Sequence, residues 1–494
     1  MKKIKNALIS VYYKDGLDEI IKTLHQNEVT IYSTGGTYQF IVDLGIPCEK
    51  VEDLTTYPEI LGGRVKTLHP AVFGGLLAVS SNPTHQTEMD THKLPFFELM
   101  ICNLYPFEEY LKNKAPHDEL IEKIDIGGVS LIRAAAKNYK EVACVSRPED
   151  YAFLLEKLKN NSGSTSLEDR NSLATYAFRT IANYDSQIAN YFEGKIQKEL
   201  RYGENPHQKG VFEGNFDQFF TQLNGKEISY NNILDLDAAI KIISEFEETT
   251  FAIIKHNNTC GLASRNTVAE AYNAAFECDP KSAFGGVLAC NKKIDKAAAE
   301  AMNSLFFELI VAPAYDEDAL EILKSKKNRV ILIQKEKINY TTKVKSALGG
   351  HLIQDEDKSI ENNKSWKVAT EAQPTASQIS DLEFGIKAMK HLKSNAIALV
   401  KNQQLIGMGC GMVSRVDALH HAIAKAKEFE LSLEGAVMCS DAFFPFPDCV
   451  AIAKNEGIVS VAQPGGSIKD QDSIDFCNQN ELSMVMTGIR HFNH

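Results

Sequence analysis

Short apolar runs alternate with helix-period patterns along the first half of the chain, and this alternation constrains the fold most. Residues 7–11 form a run of strand length, and Leu17, Ile20, Ile21 and Leu24 then recur at the spacing of one helix face. The same criterion predicts further strands at residues 29–32, 99–102 and 141–145. Alternation of this kind predicts an α/β fold built on a parallel sheet.

A polar loop followed by a long helical stretch separates the two halves of the chain. The loop covers residues 160–166, and the helical pattern runs to about residue 195. We therefore predict one domain at residues 1–198 and a second at residues 199–494. A length of 494 residues corresponds to about three domains at ~150 residues each.

The second half alternates strand and helix again, and its two parts echo each other. Residues 254–257 resemble 400–402, and residues 279–285 resemble 440–445. These echoes predict a weak internal duplication with a ligand cleft between the copies. The two sub-domains are predicted at about 199–345 and 370–494. The polar, charged residues 334–374 are predicted to be an irregular connection between them.

Charge and cysteine usage exclude several classes of protein. The chain has 53 basic and 65 acidic residues, a net charge of −12, which argues against broad nucleic-acid binding. No apolar run approaches the ~18 residues needed to span a bilayer. The ten cysteines form no C-x-x-C pair, so we expect a reducing, cytoplasmic location and no membrane or nucleic-acid partner.

Glycine-containing segments of the first half are candidate anion sites. Residues 33–37 join a strand to a helix, where glycines, hydroxyls and free amides bind phosphate, although a plain capped turn has the same composition. Residues 62–70 combine two cations, a hydroxyl and a histidine with paired glycines, and a charged surface turn is the alternative. Neither segment has the spacing of a P-loop.

Two more segments of this half carry candidate functional side chains. Residues 125–130 precede a helix that places Arg133 and Lys137 on one face, which an exposed basic surface also explains. Tyr105 follows a strand, at the sheet edge where α/β proteins bind ligands, although a lone tyrosine there is often structural. The segments together indicate a site more strongly than any one of them.

In the second half, Lys255 and His256 end a strand and enter a glycine-containing loop. A histidine serves as a general base near neutral pH, and an adjacent ammonium stabilises developing negative charge. An exposed lysine beside a hydrogen-bonded histidine is the alternative. The motifs of zinc peptidases and zinc deaminases are missing, so no catalytic metal is predicted. The motifs of serine hydrolases and Rossmann proteins are missing as well.

Taken in order, these segments resemble a known family from end to end. The match begins at residues 8–11 and ends at residues 490–492. The chain resembles the bifunctional purine biosynthesis family in which IMP cyclohydrolase is fused to AICAR formyltransferase. The resemblance implies a methylglyoxal-synthase-like parallel-sheet domain at the N-terminus. It also implies two cytidine-deaminase-like α/β sub-domains without zinc at the C-terminus.

The resemblance implies two successive reactions on small-molecule substrates. The C-terminal half would transfer a formyl group from the co-substrate 10-formyltetrahydrofolate to the amine of AICAR. The N-terminal domain would close the product, FAICAR, to IMP with loss of water. The family also implies a homodimer whose formyltransferase site is shared between subunits.

The resemblance further assigns roles to matching positions. The catalytic residues would be Lys255, His256 and Asn395 for formyl transfer, and Lys66, Tyr105, Asp125 and Lys137 for cyclisation. The folate would lie near Phe284, Gly285, Val416 and Asp448. The residues implied to bind nucleotide in the N-terminal domain are Ser10, Ser33, Thr34, Gly35, Gly36, Arg64, Thr67, Asn103 and Gly127. Those implied in the C-terminal half are Arg201, Tyr202, Glu308, Arg415, Phe443 and Arg490.

One position departs from the family pattern, because Tyr12 stands where the family often has a second serine. Two other hypotheses compete with the two-step enzyme. A lyase of the methylglyoxal synthase type fits the phosphate loops but leaves the second half unexplained. A non-catalytic nucleotide-binding regulator does not explain why all the implied catalytic side chains are retained.

Overall fold

The chain folds into two units, Met1–Lys195 and Ile196–His494. The computed structural model describes the backbone of all 494 residues and every side chain except those of Ile196 and Gln197. Within the described chain, no helix is both long and apolar enough to cross a lipid bilayer.

The first unit is built on a parallel sheet, as the sequence predicts. Its strands are β1 (Lys2–Lys3), β2 (Asn6–Ser10), β3 (Thr30–Ser33), β4 (Glu49–Lys50), β5 (Leu99–Cys102), β6 (Ala143–Val145) and β7 (Ser164–Thr165). The central sheet has the order β4-β3-β2-β5-β6, and each of its pairs is parallel. From β2 the chain adds β3 and β4 on one side, and it then returns to add β5 and β6 on the other side. β2 and β5 therefore flank a topological switch point, where α/β sheets bind ligands.

Helices of the first unit cover both faces of this sheet. They are α1 (Leu17–Gln26), α2 (Gly35–Asp43), α3 (Val51–Thr55), α4 (Pro70–Leu77), α5 (Pro83–Thr91), α6 (Phe107–Lys112), α7 (His117–Glu122), α8 (Gly127–Lys137), α9 (Tyr151–Asn160) and α10 (Leu167–Phe192). The face of α1 formed by Leu17, Ile20, Ile21 and Leu24 is fully buried, which confirms the predicted helix. Ser166 begins α10 with a capping box, so the long helix starts where the sequence predicts.

The second unit has one long mixed sheet of twelve strands and two separate two-stranded sheets. Its strands are β8 (Ile196–Leu200), β9 (Gly210–Gly214), β10 (Phe220–Asn224), β11 (Thr250–Lys255), β12 (Asn258–Ser264), β13 (Val287–Cys290), β14 (Leu309–Ala312), β15 (Val330–Gln334), β16 (Thr342–Ala347), β17 (Gly350–Asp355), β18 (Lys367–Val368), β19 (Ile397–Lys401), β20 (Gln404–Gly409), β21 (Val437–Ser440), β22 (Ser460–Gln463) and β23 (Ser483–Met486). Its helices are α11 (Phe216–Phe219), α12 (Tyr230–Ile243), α13 (Val268–Cys278), α14 (Pro280–Ala283), α15 (Lys296–Met302), α16 (Glu317–Lys324), α17 (Ala376–Met389), α18 (Arg415–Glu428), α19 (Asp448–Asn455) and α20 (Asp470–Gln479).

The order of strands in this sheet shows the internal duplication. It is β10-β15-β14-β13-β11-β12 followed by β20-β19-β21-β22-β23-β18. Each half has an antiparallel hairpin at the centre of the sheet. Three further strands follow toward the edge, and an antiparallel strand forms the edge itself. The halves join where β12 pairs with β20 at Ala263 and Gln404. The predicted repeat is therefore present, with its two hairpins side by side.

One predicted echo is wrong in topology. Residues 279–285 precede β13, whereas residues 440–445 follow β21, so the two segments are not equivalent. The structural counterpart of residues 279–286 is the connection at residues 429–436 between α18 and β21. The region 334–374 also differs from the prediction of an irregular connection, because it contains the hairpin β16–β17 and the edge strand β18.

The two hairpin turns of the repeat share a construction that positions the second site. Their left-handed residues are His256, Asn257, Asn402 and Gln403. In the first turn, a carboxylate oxygen of Asp235 on α12 accepts the Asn257 amide at 2.7 Å. In the second turn, Asp381 on α17 accepts the amides of Asn402 and Gln403 at 2.9 and 2.6 Å. A helix carboxylate therefore stabilises each turn in its left-handed conformation.

Candidate active sites

A cavity of about 990 Å³ opens at the carboxyl ends of β2 and β5 in the first unit. It lies at the switch point of the parallel sheet, where ligands bind in this architecture. Its lining includes ten of the predicted residues, namely Ser10, Thr34, Gly36, Arg64, Lys66, Thr67, Asn103, Tyr105, Asp125 and Gly127. The sequence prediction of a site in this domain thus corresponds to a single cavity.

The loop after β2 forms one wall of the cavity and is held by two side chains. Thr37 Oγ1 accepts the Val11 amide at 3.1 Å and donates to the Val11 carbonyl at 3.0 Å. Asn103 accepts the Tyr12 amide and donates to the Tyr13 carbonyl. Asn103, predicted as a substrate ligand, therefore also shapes the loop that carries the neighbouring ligands.

The N-terminus of α2 is surrounded by cations. A Cβ placed on Gly35 would lie 3.7 Å from Lys66 Nζ, and one on Gly36 would lie 3.9 Å from Lys14 Nζ. Gly35 has φ +52°, which favours glycine. Free helix amides together with two ammonium groups form an anion site. Lys14 was missed in the sequence analysis, although its position just after β2 at the ligand edge of the sheet is a usable signal.

Asp125 lies over the start of α8, beside the anion site. Its carboxylate accepts the Gly128 amide at 2.6 Å and the Tyr105 amide at 3.4 Å. A Cβ on Gly128 would lie 2.5 Å from Asp125 Oδ2, so only glycine leaves room for this arrangement. Burial raises the pKa of the Asp125 carboxyl above its ordinary range, while these amides and the Lys66 ammonium oppose the shift. A carboxyl with a raised pKa is suited to proton transfer.

Aromatic rings border the cavity on the side of Tyr105. The Tyr12 ring packs edge-on against Tyr105, with centroids 5.6 Å apart. The Lys123 ammonium lies 4.5 Å from the Tyr110 ring centroid and 6.0 Å from that of Tyr12. The Tyr12 ring thus contacts a predicted catalytic residue, at the position where the resemblance implies a second serine.

Three predicted residues of this domain do not line the cavity. Ser33 is fully buried and donates its hydroxyl to the Ile9 carbonyl at 2.6 Å, so it stabilises the sheet. Gly35 lies beneath Lys66, as described above. Lys137 is an exposed residue at the last position of α8, whose first residue, Gly127, lines the cavity. At about 1.5 Å of rise per residue, the two positions are about 15 Å apart along the helix axis.

In the second unit, Lys255 is held at the end of β11 by backbone carbonyls. Its ammonium donates to the carbonyls of Phe284 and Gly285, both at 2.9 Å. Gly285 has φ +69°, and a Cβ there would lie 2.9 Å from Lys255 Nζ, so the close approach requires glycine. The exposed Phe284 ring packs against Phe306 with centroids 5.2 Å apart. The predicted Lys255, Phe284 and Gly285 are therefore one cluster.

His256 occupies the β11–β12 turn next to this cluster. Asp235 lies close to both His256 and Lys255, whose charges lower its pKa, although burial of the carboxyl dominates and raises it. The His256 carbonyl accepts the Asn258 side-chain amide at 2.9 Å, and Asn258 Oδ1 lies 3.4 Å from Cys410 Sγ at the end of β20. This chain of contacts joins the turn of the first repeat to the loop of the second.

Asn395 lies in the connection between α17 and β19, which packs against that second-repeat loop. Its backbone and side-chain amides donate to the Met412 carbonyl, both at 3.1 Å, and the side chain also donates to the Val413 carbonyl at 3.1 Å. The Asn395 amide is thus held in a fixed orientation beside residues 410–413. The predicted His256 and Asn395 come from different repeats, and hydrogen bonds through Asn258 and residues 410–413 place both at the same end of the β12–β20 pair.

Arg415 follows this loop and pairs with a buried carboxylate. Its guanidinium lies 3.2 Å from Asp441 Oδ1, and Asp441 is fully buried. Among the described side chains, Arg415 Nε and Asp441 Oδ2 are buried atoms without a hydrogen-bond partner. The guanidinium carbons of Arg490 and Arg415 lie 4.3 and 5.9 Å from the Phe492 ring centroid. Two arginines therefore flank one aromatic ring, an arrangement suited to a phosphorylated ligand.

The remaining predicted residues of this unit have other neighbours. Arg201 donates to the Tyr202 hydroxyl at 2.9 Å and stacks on its ring, and Glu308 pairs with Lys226 at 2.6 Å. Phe443 is partly exposed after β21, while Asp448 and Val416 lie in the first turns of α19 and α18. Among the described side chains, no cluster of three or more histidine, cysteine or acidic residues is arranged to hold a metal.

The parallel-sheet cavity and the duplicated α/β unit define a two-site α/β protein, with a separate cluster of candidate site residues in each unit. A family model described as MGS-like domain matches residues 16–130, and one described as AICARFT/IMPCHase bienzyme matches residues 135–425. The chain belongs to the AICARFT/IMPCHase bienzyme family. It is a bifunctional enzyme of purine biosynthesis that combines AICAR formyltransferase and IMP cyclohydrolase activities.

Relatives along the whole chain agree with this assignment. A protein of Bacteroides thetaiotaomicron named bifunctional purine biosynthesis protein PurH is 54% identical over 503 residues, covering 100% of this chain and 99% of that protein. The protein of the same name from Aquifex aeolicus is 45% identical over 509 residues, covering 99% and 100%. That from Caldicellulosiruptor saccharolyticus is 43% identical over 517 residues, covering 99% and 100%.

Proposed function

We propose that the cavity of the first unit closes FAICAR to IMP and that the His256–Asn395 constellation of the second unit formylates AICAR. The observation that carries the first assignment is the placement of Lys66, Lys14, Asp125 and Tyr105 around one cavity at the sheet's switch point. The second is carried by the placement of His256 and Asn395, from different repeats, at the same end of the β12–β20 pair.

For cyclisation, the ribonucleotide phosphate is expected at the N-terminus of α2, beside Lys14, which leaves the Lys66 ammonium for the reacting end of the substrate. The carboxamide nitrogen then attacks the formyl carbon of the same molecule, and enforced proximity does much of the work. Asp125, with its raised pKa, is placed to exchange the proton of the attacking nitrogen. The C–N bond forms, and the former formyl oxygen takes up one proton from the carboxamide nitrogen and one from the formamido nitrogen. Its C–O bond then breaks, a C=N bond to the formamido nitrogen forms, and water leaves. The Lys66 ammonium balances charge on that oxygen.

For formyl transfer, the AICAR amine attacks the formyl carbon of 10-formyltetrahydrofolate, and the bond from that carbon to the folate nitrogen breaks. The amine is a weak nucleophile because its lone pair is delocalised, so His256 is needed to remove its proton, and a proton is delivered to the folate nitrogen as that nitrogen leaves. Lys255, fixed by two carbonyls, places positive charge beside the reacting atoms. Asn395 orients the formyl group, and the exposed Phe284 and Phe306 rings offer a stacking surface for the co-substrate.

We further propose that the enzyme is a cytoplasmic homodimer. All ten cysteines carry free thiols, which suits a reducing compartment. The hairpin β16–β17 pairs with itself and exposes four apolar side chains, namely Val344, Leu348, Leu352 and Ile353. Val344 and Ile353 pair across the strands and share one face, while Leu352 lies on the other face and Leu348 at the turn. An exposed apolar patch of this kind is typical of an interface, and a second copy of the chain is the partner that the family implies.

The test is a pair of single substitutions assayed for both reactions in the same protein. His256→Ala should lower formyl transfer by about 100-fold or more and leave cyclisation of supplied FAICAR intact. Lys66→Ala should do the reverse, by a similar factor of about 100-fold or more. His420→Ala and Lys140→Ala, which change exposed residues elsewhere, are the matched controls. Loss of both activities from either single change in a folded protein would refute the two-site assignment.

A further inference from the structure

The last five residues alternate between buried and exposed positions beside the proposed formyltransferase site. Arg490, Phe492 and His494 are exposed, whereas His491 is buried and Asn493 is half-buried. We infer that His491 and Asn493 are positioning residues for formyl transfer, which hold the chain terminus so that Arg490, Phe492 and Asn395 keep their places. The inference rests on the proposed location of the formyltransferase site.

Asn493 is bonded directly to the loop that carries Asn395. Its backbone carbonyl accepts the Ser394 amide at 2.9 Å, and its backbone amide donates to Ser394 Oγ at 3.0 Å. Its side chain donates to the His391 carbonyl at 3.3 Å and accepts from Lys343 Nζ at 2.9 Å. Asn493 therefore connects the terminus both to the residue before Asn395 and to the hairpin β16–β17.

His491 is held two residues earlier, on the same side of the terminus. Its ring nitrogens lie 2.6 Å from an Asp357 oxygen and 2.9 and 3.0 Å from the two Glu361 oxygens. Its backbone amide donates at 3.1 Å to the carbonyl of Asp441, the residue that pairs with Arg415. The terminus is therefore attached at a second point, next to the predicted nucleotide arginine.

Attachment at alternate residues determines where the intervening side chains project. In an extended segment, successive side chains point to opposite sides, so Arg490 and Phe492 face away from the two attachment points. The Phe492 ring lies between Arg490 and Arg415, and a ligand phosphate is expected at these guanidinium groups. Binding groups that are fixed before the ligand arrives avoid the ordering cost of a flexible segment.

The decisive variant is Asn493→Ala, with Asn363→Ala as a matched control at an exposed asparagine of the same unit. We expect kcat/KM for AICAR to fall by about 10- to 100-fold, because small displacements of binding groups have effects of this size. The KM for AICAR should carry most of the change, the KM for the folate should change by less than about twofold, and cyclisation should be unaffected. A His491→Gln variant should show the same selective pattern.

Two sets of outcomes separate the inference from the proposed function. Wild-type kcat/KM for AICAR in both Asn493→Ala and His491→Gln would overturn the inference, as would equal increases in KM for both substrates. Asn395→Ala and Arg490→Ala test the site itself, and wild-type formyl transfer in both would overturn the proposed location. If these two variants lose activity while Asn493→Ala does not, the site stands and only the positioning role fails.

Discussion

Arg64 and Glu122 form a two-point ion pair, and both side chains line the cyclohydrolase cavity. Arg64 Nε lies 3.3 Å from Glu122 Oε2, and the second guanidinium nitrogen contacts the other carboxylate oxygen. Both side chains are more than half exposed, at 66% and 54%. Arg64, predicted to bind the substrate phosphate or ribose, is therefore occupied by a carboxylate that an anionic ligand has to displace.

Removing that competitor is expected to strengthen substrate binding. An exposed ion pair stabilises by about 0–1 kcal/mol, so Glu122→Gln should lower the KM of FAICAR by up to about fivefold. The measurement is the initial rate of IMP formation against FAICAR concentration at low salt. Glu119→Gln, an equal charge change at an exposed position of the same helix, is the control. An equal effect of both substitutions would show general charge attraction, and a raised KM in Glu122→Gln would show that Glu122 itself assists binding.

Gly128 provides a sharper test of the Asp125 geometry. Since a Cβ there would lie 2.5 Å from Asp125 Oδ2, Gly128→Ala must displace the carboxylate or the start of α8. We expect cyclisation to fall by about 100-fold, the cost of misplacing a catalytic group by roughly 1 Å, and formyl transfer to remain. Ser130→Ala, in the same helix turn, is the control and should retain cyclisation. Unchanged cyclisation in folded Gly128→Ala would remove Asp125 from the mechanism.

The sequence predicted regular elements well where burial dictates the pattern. The apolar face of α1 and the fully buried run of β5 are recognisable because one residue face, or a whole strand, must avoid water. The hairpin β16–β17 was missed because most of its residues are exposed, so no alternation of apolar and polar residues marks it. A similar cause explains the misplaced echo at residues 440–445, since a short likeness does not encode the order of strands.

The residues of the candidate sites were likewise predicted from the sequence only in part. Motifs located the residues around the first cavity, but Lys14 was found only when the structure placed its ammonium beside Lys66 at α2. The role of Glu122 is equally invisible in sequence, because it depends on a partner far along the chain. Lys137 matched the motif of a catalytic residue and lies at the exposed end of α8, outside the lining of this cavity, so its role stays a prediction.

The exposed hairpin allows the proposed dimer to be tested. Leu348→Asp combined with Ile353→Asp places two charges on the apolar patch, and we expect a monomer in sedimentation velocity experiments. Formyl transfer should then fall by at least about tenfold, because the resemblance implies a formyltransferase site shared between subunits, while cyclisation stays within about twofold. Val211→Asp changes another exposed apolar residue of the same unit and should leave the dimer intact. A dimeric double variant, or a wild-type protein that is itself monomeric, would contradict the proposal.

His491 should make the stability of the second unit depend on pH. The carboxylates of Asp357 and Glu361 raise the pKa of His491 to about 9, against the opposing effect of burial, from an ordinary value of 6.5. Lys390 also lies close enough to lower the pKa of Asp357, which keeps that carboxylate ionised throughout the relevant range.

Because the folded state binds this proton more tightly than the unfolded state does, the stabilisation is fully present below pH 6.5. It declines as the pH rises and is lost above about pH 9. A shift of this size corresponds to at most about 3 kcal/mol.

The prediction is measured by thermal unfolding of the wild type and of His491→Gln between pH 6 and pH 10. The wild type should unfold at a higher temperature at pH 6, and the difference between the two proteins should shrink toward pH 10 as the histidine loses its proton. His421→Gln, at an exposed position of α18, is the control and should show no such trend. A difference that is constant across the range would mean that His491 stabilises the terminus by packing and hydrogen bonds alone, without a charge shared with Asp357 and Glu361.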